Sequence, residues 1–162
     1  MAAATSLLTA TLKFEGEISL QIQSKGPVSY AVLNATHEQT LRGVARWDES
    51  LDSLPESFAE LVKQAVLVIT ITPDEGERYQ GVVALDKPSL AACIEEYFSQ
   101  SEQLATSVHL MTDLSDVKNA KAAGILLQVL PTDASATDVS QATEFEHIST
   151  LTDTPTSKEV FS

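Results

Sequence analysis

Apolar and polar residues alternate strictly over Ile18-Ser19-Leu20-Gln21-Ile22-Gln23. A period of two places Ile18, Leu20 and Ile22 on one face of a strand. Val28, Tyr30 and Val32 continue that period after a Gly26-Pro27 turn, and Thr40 to Trp47 reads as a third strand. Upstream, Glu15-Gly16-Glu17 reads as a turn, and Thr5 to Phe14 fits either the tail of a helix or a strand. Ala65 to Thr72 is a run of β-branched and apolar residues without alternation, the pattern of a strand buried on both faces. Pro73-Asp74-Glu75-Gly76 forms a turn, and Arg78 to Leu85 returns as a strand with Tyr79, Gly81, Val83 and Leu85 on one side. The two strands pair as a hairpin.

Helical spacing appears in three places. Ser53-Leu54-Pro55-Glu56 has the form of a capping box with proline in the first turn, ahead of a buried face of Phe58, Leu61 and Val62. Pro88 opens the clearest helix, whose stripe is Leu90, Ile94, Tyr97 and Phe98, with Glu95 and Glu96 off it. Thr143-Glu144-Phe145-Glu146 is a second capping box, leading a short helix with Phe145, Ile148 and Leu151 inward. Val108 and Leu110 mark a further strand, and Gly124 to Leu130 a buried one that stops at Pro131. The expected fold is α+β: antiparallel-rich sheets packed with a few amphipathic helices, in a single domain. Residues 1–131 form the body, 132–142 a mobile acidic Ser/Thr-rich loop, and 143–162 a C-terminal helical segment. Ser157 to Phe161 reads as the first turn of another helix, and an element cut at each end implies a fragment of a longer protein.

Composition narrows the partners. The chain has 162 residues, 43% hydrophobic and 20% charged, enough for one core. Its net charge of −13, with no Lys or Arg between Lys121 and Lys158, disfavours nucleic acid and anionic membranes. It also keeps copies dispersed. The longest apolar run, Ala65 to Ile69, falls far short of a membrane helix, and Met1-Ala2-Ala3-Ala4 is unlike a secretory signal. The one cysteine, Cys93, makes neither an internal disulfide nor a Cys-rich metal site, so the cytosol is the expected compartment.

Candidate chemistry is sparse. His37-Glu38-Gln39-Thr40-Leu41 is half a zinc-protease motif, with Leu41 where the second ligand would stand. His109 lies in a strand pattern beside Leu110 and Met111, as an edge or core histidine, and His147 lies on the solvated side of its helix. Cys93 borders the apolar stripe of its helix and reads as a buried structural thiol. Asp74, Glu75 and Glu77 form an exposed acidic turn, with nothing to split their pKa values for acid–base work. No glycine spacing matches a phosphate loop or a nucleophile elbow. Asn34-Ala35-Thr36 is a glycosylation sequon without other signs of secretion. No catalytic, cofactor-binding or metal-binding residues are expected, and the chain reads as a non-enzyme.

Several blocks resemble one family. They are Ala4-Thr5-Ser6-Leu7-Leu8, Leu41-Arg42-Gly43-Val44-Ala45-Arg46, and Pro73-Asp74-Glu75-Gly76-Glu77-Arg78-Tyr79-Gln80-Gly81-Val82-Val83. After these come Tyr97-Phe98 with Ser101-Glu102-Gln103-Leu104, then the run Ala122 to Pro131, then Phe145 to Leu151. In this order they are similar to the redox-regulated holdase chaperone of the 33-kDa heat-shock family, over nearly the whole chain. Ala105 and Ile125 stand where relatives often carry proline and glycine.

The resemblance implies an ATP-independent chaperone that binds unfolding client proteins and prevents their aggregation, with a homodimer as its assembly. It also implies a fragment, the substrate-binding body without the N-terminal helical segment, the linker and the four-cysteine zinc module through which oxidation activates the family. Cys93 does not match a zinc ligand, so no switch role passes to it and no zinc is expected here. The client-contact residues are left open. A small α+β enzyme without a recognised motif, or an oligomeric scaffold module, are the alternative readings.

Overall fold

The computed structural model describes residues 1–129, 138–152, 155 and 157–161. The fold is α+β. By compactness the chain forms two units, Met1–Ile94 and Glu95–Ser162, and the boundary falls inside a helix. The described residues 95–129 cluster with the C-terminal helices in the second unit.

The first unit contains α1 (Ala2–Ala10), β1 (Gly16–Gln23), β2 (Val28–Thr36), β3 (Leu41–Trp47), the short α2 (Phe58–Leu61), β4 (Val66–Pro73) and β5 (Tyr79–Ala84). The strands make one antiparallel sheet in the order β3-β2-β1-β4-β5. The alternation of β1 appears directly in the burial of Ile18, Leu20 and Ile22, and Leu20 is wholly inaccessible. Registers Ile18↔Ala35, Leu20↔Leu33 and Ile22↔Ala31 on one side, and Ile18↔Ile71, Leu20↔Ile69 and Ile22↔Leu67 on the other, extend this face across the sheet. α1 packs against β1 and β2, burying Ala4, Thr5, Leu8 and Thr9. The two buried threonines bond back along the helix, Thr5 Oγ1 to Met1 O at 3.0 Å and Thr9 Oγ1 to Thr5 O at 2.7 Å, so neither hydroxyl is stranded.

Local expectations are corrected at several points. Of the two readings left open for Thr5 to Phe14, Thr5 to Ala10 is helix, and Leu8 is buried. Gly16 and Glu17 belong to β1, because Gly16 sits opposite Pro73 and a Cβ there would meet the Thr72 carbonyl. On β2 the buried residues are Ala31 and Ala35, opposite Ile22 and Ile18; Tyr30 and Val32 stand opposite Gln23 and Gln21 on the other face. β4 buries Leu67 and Ile69 on one face and Thr70 on the other, but leaves Val66 and Val68 half-covered, so its second face is only partly enclosed. The cap of α2 is Ser57, whose Oγ accepts from Glu60 N at 3.2 Å; Ser53 lies four residues too early. A helix of one turn buries none of its own residues, and Val62 just after it is the buried one.

α3 (Leu90–Tyr97) starts at Ser89, whose Oγ accepts from Ala92 N at 3.2 Å. Of the expected stripe, Leu90, Ile94 and Tyr97 are buried, together with Cys93 at its edge, while Phe98 is only half-buried. A π-helical turn, Phe98–Glu102, follows and is closed by Gln103 in the left-handed region, φ 54°. In the second unit β6 (Thr106–Asp113) and β7 (Lys121–Gln128) pair as a two-stranded sheet. β7 starts earlier than its apolar run and is half-covered rather than buried. α4 (Asp138–Thr152) and α5 (Ser157–Val160) complete the unit. Of the expected loop 132–142, residues 132–137 lie outside the described residues, while 138–142 are helical. α4 therefore runs through Thr143 instead of starting there.

Candidate functional site

The face of the five-stranded sheet opposite Ile18, Leu20 and Ile22 is the candidate interaction surface. The registers Val44↔Val32, Val32↔Gln21, Gln21↔Val68 and Val68↔Val82 lay one row across all five strands, four valines around a glutamine. The row is half-covered at its centre and open at its ends: Val44 is 57% and Val82 64% exposed. Tyr30, Val66 and Ala84 stand in the next row, with Gln23 and Arg46.

On the other side of the valines lies a polar row: Arg42, Asn34, Ser19, Thr70 and Gln80. Gln80 Nε2 donates to Thr70 Oγ1 at 3.1 Å, and Arg42 pairs with Glu17 at 3.6 Å. That ion pair is exposed and contributes little stability. Asn34 Oδ1 is buried without a hydrogen-bond partner among the described residues. It is an acceptor beside an apolar row, which an incoming donor would satisfy.

β3 forms one edge of the sheet, and all seven of its residues are exposed, with Leu41, Val44 and Trp47 (52%) carrying the apolar area. An edge strand presents unpaired backbone groups along its outer side. The surface thus offers an apolar row, flanking polar groups and an edge strand, the features an interaction surface needs.

The family model described as Hsp33 protein matches residues 1–162. The chain belongs to the Hsp33 family. It is 64% identical over 160 residues to the 33 kDa chaperonin of Pseudoalteromonas atlantica, covering 99% of this chain and 53% of that protein. It is 57% identical over 159 residues to the 33 kDa chaperonin of Shewanella putrefaciens, covering 98% and 52%. The chain thus spans about half the length of the curated relatives it matches. The crystal structure of the 33 kDa chaperonin from Thermotoga maritima matches with a TM-score of 0.73 at 22% identity, over 99% of this chain and 58% of that one, a likeness of fold.

The blocks that carried the resemblance to Hsp33 take definite structural roles. Leu41 to Arg46 is the edge strand β3. The Glu77 to Val83 block supplies β5 and the exposed end of the valine row. Ser101-Glu102-Gln103-Leu104 closes the π-helical turn, with the amides of Gln103 and Leu104 both donating to Phe98 O.

The single residues weighed for chemistry separate in space. His37 lies in the turn after β2, where its Nδ1 accepts from Gly16 N at 3.2 Å. His109 lies on β6, and His147 is exposed on α4. Cys93 is fully buried in α3. Among the described residues no group of three or more His, Cys, Asp or Glu side chains is placed to hold a metal.

Sequence pattern missed the valine row because its members come from five strands. Periodicity along one strand shows which residues share a face, but only strand order and register show which rows they join.

Proposed function

We propose that this chain is the client-binding body of an ATP-independent holdase chaperone, which captures unfolding proteins and prevents their aggregation. The observation that carries the reading is the Val44–Val32–Gln21–Val68–Val82 row beside the exposed edge strand β3. Apolar surface of this kind captures clients that expose theirs, because joining the two removes both from water. The charge of −13 keeps the captured complexes apart in solution. Membership of the Hsp33 family and the 33 kDa chaperonin relatives support the same reading. The protein works by binding, not as an enzyme, and it acts in the cytoplasm on unfolding clients rather than on nucleic acid or membranes. No helix among the described residues is long and apolar enough to cross a membrane.

Activation by oxidation resides in the family's zinc module, whose cysteines this chain lacks, so the chain binds clients without zinc and without a thiol switch of its own. It assembles as a homodimer, strengthened by salt that screens the mutual repulsion. Light scattering of a thermally unfolding client, with and without the chain, tests the central reading. Scattering falls as the chain approaches the client's concentration; undiminished scattering at severalfold excess overturns it. Sedimentation at micromolar concentration tests the assembly, and a monomer at both low and high salt refutes it.

A further inference from the structure

A chain of polar contacts ties the end of α4 to β6. Thr152 Oγ1 lies 2.9 Å from His109 Nε2 and donates to Ser149 O at 2.7 Å. Ser107 Oγ lies 3.0 Å from the same Nε2, and Ser149 Oγ donates to Ser107 Oγ at 2.9 Å. The turn of α4 that faces β6 is therefore not the apolar stripe its sequence suggested. Ser149 and Thr152 are half-buried, whereas Ile148 and Leu151 are 42% and 55% exposed.

Proton counting assigns directions within this cluster. A hydroxyl has one proton, and Thr152 gives its proton to the Ser149 carbonyl, which can only accept. If Nε2 carried a lone pair, it would face the Thr152 oxygen lone pairs at 2.9 Å, a repulsive contact. With a proton on Nε2 both of these contacts are met: Nε2–H points to Thr152 Oγ1 and lies within reach of Ser107 Oγ, which already accepts from Ser149.

We propose that His109 is the positioning residue of a latch in which its Nε2–H, donated to Thr152, holds the C-terminal turn of α4 on β6. The last turn of a helix exposes carbonyls and the negative end of its dipole, so a donor placed there suits a helix end better than an acceptor. Around the ring, the cross-strand neighbour of His109 is the apolar Ile125. The charged and titratable groups on the neighbouring elements are Asp113 on β6, paired across the strands with Lys121 on β7, and Glu144, Glu146 and His147, all exposed, on α4. Glu159 on α5 is also exposed, and Glu95 on α3 is engaged with Val108 N at 2.7 Å.

Two measurements on the 162-residue chain test the latch. Long-range proton–nitrogen correlation should find the neutral His109 ring protonated at Nε2; protonation at Nδ1 overturns the proposal. Hydrogen exchange should show protection of the last turn of α4 falling about three- to tenfold in both His109→Phe and Thr152→Val, the loss of one hydrogen bond. His109→Gln, whose amide nitrogen reaches the place of Nε2, should restore it, and the double variant should lose no more than either single one. Unchanged protection in both single variants, or losses that simply add, would refute the coupling.

Discussion

Gly43 lies directly opposite Leu33 across the β2–β3 pair, and the Leu33 side chain occupies the space a Cβ at Gly43 would need. The Val32 carbonyl closes the remaining room. Gly43 thus allows β3 to approach β2 closely with leucine beneath it. Gly43→Ala should destabilise by about 1–3 kcal/mol, the usual range for overpacking. A lower urea midpoint together with faster hydrogen exchange over residues 41–47 would show it; an unchanged midpoint would mean that Leu33 moves aside freely.

The valine row separates binding from stability. Val44→Lys and Val82→Lys place charges at its exposed ends, where surface substitutions change stability by no more than about 0.5 kcal/mol. Suppression of client aggregation should fall severalfold while the unfolding midpoint holds. Leu20→Ala, on the buried face of the same sheet, should do the opposite and cost about 2–5 kcal/mol.

Capping gives a contrast between two serines. Ser57→Ala removes the acceptor for Glu60 N and should cost about 0.5–2 kcal/mol, whereas Ser53→Ala, outside the helix, should be neutral. Paired denaturation curves decide this; an equal loss at both positions would show that the cap geometry is not what matters.

Three surface carboxylates set an acid limit. Asp48 is held below the usual aspartate value of 3.8 by hydrogen bonds from the Ser50 hydroxyl and amide, and Asp113 is held there in the same way by Ser115. Asp116 is lowered by the Asn119 side chain and the Lys118 amide. A carboxyl whose folded value is depressed stabilises the fold above its unfolded value, and that stability is lost as pH falls through the folded one. Stability should therefore decline below about pH 4. Replacing all three by Asn should flatten that decline in pH-dependent thermal melts; an unaltered slope would assign the acid sensitivity to other groups.

Much of the fold was legible wherever a short-range pattern acts alone. The alternation of Ile18, Leu20 and Ile22, the stripe of α3, the buried Cys93 and the β4–β5 hairpin all follow from a periodicity read within one element. Boundaries and faces were misread where a long-range partner intervened. Gly16 reads as a turn residue until Pro73 pairs with it, and the period of two through Tyr30 and Val32 does not say which face it lines until the register places Ala31 opposite Ile22. The inward face of α4 was misassigned because the Ser149 and Thr152 hydroxyls, bonded to Ser107 and His109, took the place expected for Ile148 and Leu151.

The sequence by itself determined the fold class, most of its strands and helices, the absence of a zinc-binding cysteine set and, through its specific blocks, the Hsp33 family. Those properties depend on residue identity and on spacing within about ten positions, which the chain carries in one dimension. Only the tertiary structure decided that valines from β2, β3, β4 and β5 meet in one row, that β3 is an exposed edge, and that His109 faces Thr152 across 43 positions. Strand order, register and helix docking join residues that are remote in the chain, and the forces that choose them act between faces rather than along the sequence.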